Sequence, residues 1–394
     1  MARVVEARSP AAQNLPGEED LRFIRNFHDI LLSLGILMFA GGLALATGIA
    51  LGPMVAETAQ SGGDGARRAL GIVAAAAGAN AVVMWLMAEF FARGRRLFLP
   101  SIVILIAFAG FVYVAAGAGY AAIAGFDFDS VIPPEGPAGD SDATPEQIMG
   151  GVWGELFRRF SEPFLIVGGI ATAAIFLFYA RMKLPFAMGL GAYSLAMVGV
   201  LAVFNRWPDQ AFRLINETQL AAGVFMFLLG VFHDARDPER RTRISDNGFW
   251  LHFFAAPLIL NSTLGMVLGA GADGGYGDFG AIFGVEKNPV GAAATTLAVV
   301  SGFSFVSLLI NRRALLVAGL LYALIAAGFL ISKTGLSEAW TVAVTLLVLG
   351  GAMVLLGGGW HAIRRVVVAP FPKRGLIARI IPPEPSKEDL RASE

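Results

Sequence analysis

Ten stretches of this chain are almost purely apolar, and the short segments between them hold nearly all the charge. They lie at about 30–51, 70–91, 97–123, 164–180, 184–204, 217–233, 249–268, 290–309, 314–331 and 337–356. An α-helix rises about 1.5 Å per residue and a bilayer's hydrocarbon core is about 30 Å thick, so about 20 apolar residues cross it. No soluble core of 394 residues calls for ten such runs. The expected fold is all-α, a polytopic transmembrane helical bundle of about ten spans.

Composition agrees. Hydrophobic residues make up 56% of the chain and charged ones 15%, against about 45–50% and about 25% in soluble domains. The 48 glycines suit membrane helices, where small residues let backbones approach closely. Gly48 with Gly52, and Gly265 with Gly269, have the spacing of such contacts. Cysteine is absent, which excludes disulfides, thiol nucleophiles and cysteine-ligated clusters. A net charge of zero argues against a nucleic-acid partner. Residues 1–28 are polar, and the first apolar run exceeds a signal-peptide core, so it is expected to stay as a span.

The basic residues orient the spans. Twenty-two of the 30 Lys and Arg fall on the side of the two termini and eight on the other. By the positive-inside rule both termini are cytoplasmic, N-in and C-in. This divides the chain into a cytoplasmic segment 1–29, a bundle 30–356 with an external loop 124–163, and a cytoplasmic segment and tail 357–394. Within that loop, Ile148, Met149, Val152, Trp153, Leu156, Phe157 and Phe160 recur at helical spacing. Either an interfacial amphipathic helix or a helix packed on the bundle fits them. Beyond Gly357-Gly-Gly359, basic and apolar residues interleave around Trp360, Arg364, Arg365, Phe371 and Ile377, as an interfacial element on an anionic leaflet would. Residues 382–394 are expected to be disordered.

Ionisable side chains gather at the cytoplasmic ends. His28 and Asp29 precede the first span, Glu89 ends the second, His233 and Asp234 end the sixth, Asp246 and His252 begin the seventh, and His361 follows the tenth. Histidine beside carboxylate is the material of a proton relay or a metal site, because imidazole titrates near neutrality and binds metals. Histidines on separate helices could also ligate a haem. Interfacial anchoring accounts for the same residues, and no metal site, cofactor or catalytic set is specified. His252 stands out, a turn inside an apolar run, with Pro257 interrupting the helix one turn further on. Asn80 and Asn261 are the main polar groups deeper in the spans, where amides join helices.

The segment from Asp237 runs through Ser245-Asp-Asn-Gly-Phe-Trp-Leu-His252 to Ala255-Ala-Pro257. Ser245 or Asp246 could cap its helix. With Trp360-His-x-x-Arg-Arg365 and Ile381-Pro-Pro383, it resembles a group of uncharacterised multi-pass inner-membrane proteins of Gram-negative bacteria. The match lies mainly around 237–260 and 360–383. The resemblance implies a bacterial cytoplasmic (inner) membrane and a polytopic helical fold, and no activity. Where members of that group often carry a histidine, this chain has Asn261, which argues against a paired-histidine site across the seventh span.

Three functional readings follow. The first is a transporter or permease-like protein for a small-molecule substrate. The second is a non-catalytic assembly or regulatory factor binding lipid or a protein partner. The third is an intramembrane enzyme using His252, Asp246 and Glu89, or a metal- or haem-binding protein. The lipid bilayer is a partner in all three.

Overall fold

The computed structural model describes residues 27–62, 64–124, 145–237, 243–269, 289–372 and 375–382. Among them every regular element is helical: α1 (Phe27–Gln60), α2 (Gly65–Ala88), α3 (Phe98–Ala124), α4 (Pro145–Met182), α5 (Pro185–Arg206), α6 (Pro208–Arg236), α7 (Arg243–Gly269), α8 (Pro289–Ile310), α9 (Ala314–Ser332), α10 (Glu338–Val368) and the short α11 (Leu376–Ile380). A π-helical turn, Glu89–Gly94, extends α2. Among the described residues ten helices are long and apolar enough to cross a membrane, and they are the ten expected spans in order. The protein is a multi-pass helical membrane protein.

Local chemistry sets the helix starts. Proline is the first residue of α4, α5, α6 and α8, where its missing N–H costs nothing and its fixed φ suits the helix. Short turns use the left-handed region: Arg96, Lys183 and Asn311 have φ of 53°, 54° and 55°.

Several helices outrun their apolar cores. α4 is one helix of 38 residues, so the stretch expected as a separate amphipathic helix continues directly into the fourth span. Its side chains 145–159 lie outside the described residues. α10 likewise does not stop at Gly357-Gly-Gly359 but runs to Val368. Trp360 and Arg364 are buried there, and packing outweighs the weak helix preference of glycine. α7 begins at Arg243, so Ser245 and Asp246 sit inside its first turn instead of capping it, and it continues through Pro257 without a break. The N-terminal segment up to residue 26, residues 125–144 and residues 383–394, expected to be disordered from 382 on, lie outside the described residues.

The chain divides into two compact units, one drawn from Arg22–Ala222 and one from Gly223 onward. In the first, α2 packs on α3, α4 on α5, and α1 against α2 and α3. Its core holds three aromatic rings from three helices: Trp85, Phe108 and Phe178 have centroids 5.5–5.8 Å apart. Hydrogen bonds tie the same helices. Asn80 Nδ2 donates to Thr47 Oγ1 (3.2 Å), and Ser194 Oγ meets Thr172 Oγ1 at 2.7 Å and the Tyr113 hydroxyl at 3.3 Å. Among the described residues, Gly48 and Gly52 have open space where a Cβ would stand, so no helix packs on them there.

In the second unit α7 is the central element. It packs on α8 and α9, with Leu260, Val300 and Ala323 forming one core cluster and Ala256, Ile310 and Leu315 another. Of the most apolar window of α7, 56% is buried, against 6–33% in the other nine spans. The other nine spans carry many exposed apolar side chains, as lipid-facing helices do. The helix most enclosed by protein is the one that carries His252.

Candidate functional site

Three chain segments of the second unit meet in one buried network. Asp234 comes from the last turn of α6, His252 from the third turn of α7, and Arg312 from the α8–α9 turn. Arg312 Nε donates to Asp234 Oδ2 at 2.8 Å, and a terminal guanidinium nitrogen donates to Oδ1. This is the two-pronged fork that guanidinium makes with carboxylate. His252 Nε2 lies 3.2 Å from Asp234 Oδ2. With a carboxylate as acceptor, Nε2 carries the hydrogen and donates. His252 is 0% exposed, Arg312 2% and Asp234 9%.

Glycines make the approach possible. A Cβ at Gly230 would stand 2.8 Å from His252 Cε1 and 2.9 Å from Nε2, so the imidazole lies flat on bare α6 backbone. A Cβ at Gly248 would overlap Asp234 Oδ1. Gly223, two turns before Gly230, faces Ile259 in the same way, at 2.8 Å. Gly223 and Gly230 therefore give α6 a smooth stripe against α7. Phe227 closes one side of the imidazole, ring centroids 4.9 Å apart and 64° inclined.

The arginine is aimed by its turn. Arg312 N–H donates to Ser307 O (3.0 Å), and Ser307 Oγ donates to Arg312 O (2.5 Å). Asn311, left-handed at φ 55°, accepts from Trp360 Nε1 at 2.9 Å. Arg313 lies over the Trp360 ring, 5.2 Å from its centroid. Arg364 donates from Nε to Leu308 O (2.8 Å) and through a terminal nitrogen to Leu309 O (3.4 Å) and Pro382 O. A cation on the last carbonyls of α8 also complements that helix's dipole. The ends of α6, α8 and α10 and the start of α7 thus meet on one face of this unit, as antiparallel succession requires.

The other expected site residues have separate settings. Glu89, at the π-turn of the first unit, accepts from Arg181 Nε at 2.6 Å and from Arg93 at 3.2 Å, joining the ends of α2 and α4. His28 is exposed and Asp29 buried at the start of α1, where Ser33 Oγ donates to Asp29 O (2.6 Å). His233 Nδ1 is 2.8 Å from Leu229 O, one turn back on its own helix. His361 is half-buried on α10, and Asp246 is exposed in the first turn of α7, where negative charge suits the helix dipole. Asn261 accepts from the Tyr322 hydroxyl, joining α7 to α9. Of the eight residues picked out by sequence, Asp234 and His252 share a hydrogen bond.

Arg312 was hidden from sequence reading because a basic residue in a two-arginine turn reads as a headgroup-facing charge. One signal was available. Asp234 directly follows the sixth apolar run, and a carboxylate enclosed by protein there needs a compensating partner. Among the described residues no three of His, Asp and Glu gather as a metal site.

The fold and network define a class: a multi-pass helical membrane protein with a buried Asp–Arg–His cluster at one end of its second unit. Comparison with protein-family models, curated proteins and solved structures finds no match to this chain.

Proposed function

We propose that this is a bacterial cytoplasmic-membrane protein with both termini inside, acting as a transporter or permease for a small molecule. The observation that carries the reading is the Asp234–Arg312–His252 network, buried where the ends of apolar helices meet. A charged group costs about 2.5–3.5 kcal/mol at the centre of a span on insertion scales and less towards its ends, and buried charged groups in membrane helices mark substrate and ion pathways. Apolar packing of similar volume would hold the same helices together at no such cost. A charged network there is therefore a functional feature as well as a joint.

The test is flux. The purified full-length protein in proteoliposomes is offered a pool of small metabolites, and the exchange across the bilayer is read by mass spectrometry. Movement of a defined compound, lost in the D234N variant, supports the reading. No protein-dependent movement of any compound, with the protein folded, overturns it.

A second reading, the assembly or regulatory factor, draws on the end of the chain. Arg365, Ile377 and Arg379 are exposed around α11, a mixture suited to an anionic membrane surface or a protein partner. Stable co-purification of one partner, without flux, favours it.

A further inference from the structure

The ends of α2 and α4 in the first unit gather positive charge far beyond what their one ion-pair carboxylate needs. Arg93 lies in the π-turn and Arg95 and Arg96 follow it, while Arg181 stands in the last turn of α4 with Lys183 two residues on. All five are exposed. Among the described residues at this end of the unit two carboxylates stand against them, Glu89 and the buried Asp29. Residues 1–26, which lead into α1, contain four Arg and four Asp or Glu, so by charge count they leave that excess unchanged.

Glu89 draws the two helix ends together. Its carboxylate accepts from Arg181 Nε at 2.6 Å and from Arg93 at 3.2 Å. Two guanidiniums sharing one carboxylate keep a net positive charge. Each guanidinium has five N–H groups. Arg181 aims Nε and one terminal nitrogen at Glu89, and Arg93 aims one terminal nitrogen. Both have N–H groups left to donate, on side chains 48% and 52% exposed. Ring contacts hold two of the other cations, with Arg95 4.9 Å from the centroid of Phe90 and Lys183 5.6 Å from that of Tyr179.

Apolar side chains are exposed beside and beneath these cations. Leu86 and Phe90, four residues apart on one face, are 62% and 53% exposed. Leu177, one turn before Arg181, is 61% exposed. Hydrogen-bond donors for phosphate thus stand at the span ends, with open apolar surface towards the middle of the spans. A soluble anion would use the first feature and leave the second bare. A phospholipid uses both.

We propose that the ends of α2 and α4 bind an anionic phospholipid, its phosphate held by Arg93, Arg181 and Lys183 and its acyl chains lying against Leu86, Phe90 and Leu177. Guanidinium forks match phosphate oxygens, and basic sites between span ends take such headgroups. The π-turn that carries Arg93 is an element that recurs at functional sites. This site lies in the first unit and does not rest on the transport reading, whose flux test succeeds or fails separately.

Two measurements on the full chain test it. In the first, wild-type protein is reconstituted in phosphatidylcholine vesicles with a trace of phosphatidylglycerol that carries a photoreactive group on its headgroup, and the labelled peptides are mapped. Labelling should concentrate in residues 86–97 and 177–184. Unlabelled phosphatidylglycerol should displace it, while extra phosphatidylcholine and soluble glycerol phosphate should not. Labelling without preference for these residues, as a patch covered by residues 1–26 would give, overturns the proposal. Displacement by glycerol phosphate overturns it too, because the site then takes a soluble anion. In the second, native mass spectrometry compares lipid binding to wild type and to R93Q/R181Q/K183Q. The variant should bind phosphatidylglycerol at least about tenfold more weakly, as the loss of three charges at an anionic surface implies, and phosphatidylcholine within about twofold of wild type. A folded variant that keeps its phosphatidylglycerol overturns the proposal. The first measurement needs no variant and decides by itself should R93Q/R181Q/K183Q fail to fold.

Discussion

Arg312 grips both carboxylate oxygens of Asp234, a residue 78 positions earlier in the chain, and the pair is almost wholly buried. Asp234 in turn accepts from His252. One carboxylate thus joins α6, α7 and the α8–α9 turn.

R312A should be strongly destabilising, by about 3–5 kcal/mol, because it strands a buried carboxylate. The R312A/D234A pair should lose less than the sum of the single changes, since neither charge is then left alone. Reversible unfolding in detergent, read as a double-mutant cycle, checks both. Additive losses would mean that the two side chains do not interact.

The glycines should separate into two kinds. G230A pushes a methyl into the His252 ring and G248A pushes one into Asp234, so both should lower Tm. G48A and G52A meet open space and should hold or raise Tm, since alanine favours a helix over glycine by about 1 kcal/mol. Equal effects at all four positions would deny the close approach of α6 and α7.

W360F puts a smaller phenyl ring in place of the indole and removes the N–H that Asn311 accepts. It should lower stability by more than the about 1 kcal/mol usual for one hydrogen bond, because the indole is fully buried and leaves a cavity; reversible unfolding in detergent reads the loss. R364A removes the cation from the α8 carbonyls, and amide exchange in α9's first turn and around Pro382 should rise. Unchanged exchange in both places would show that Arg364 is not the clasp.

E89Q should matter much less than D234N. Glu89 is partly exposed and meets Arg93 and Arg181 where solvent screens them. Thermal melts of the two variants side by side rank them, and a larger loss in E89Q would reverse the assignment.

Reporter fusions at the C-terminus and within residues 124–144 should report opposite sides of the membrane. Agreement between them would break the ten-span topology.

The spans were legible because a continuous apolar run of helical length has one physical solution in a bilayer. The ends of helices were less so. α4 and α10 continue past their apolar cores, and in α10 Trp360 ties the extension to Asn311. Two of the three site residues were legible too. His252 stands out a turn inside an apolar run and Asp234 directly follows another, but nothing in the sequence says that they share a bond, because side-chain pairing between helices depends on rotation and crossing.

The sequence by itself determined an all-helical, multi-pass membrane protein with ten spans in a given order. That follows from local hydropathy, which each segment expresses alone. Tertiary structure decided that Arg312 turns inward and Glu89 pairs with Arg93 and Arg181 instead. It also decided which glycines bear contacts: Gly223, Gly230 and Gly248 do, and Gly48 and Gly52 do not. These outcomes depend on how close two backbones come, and that distance belongs to the packed helices together.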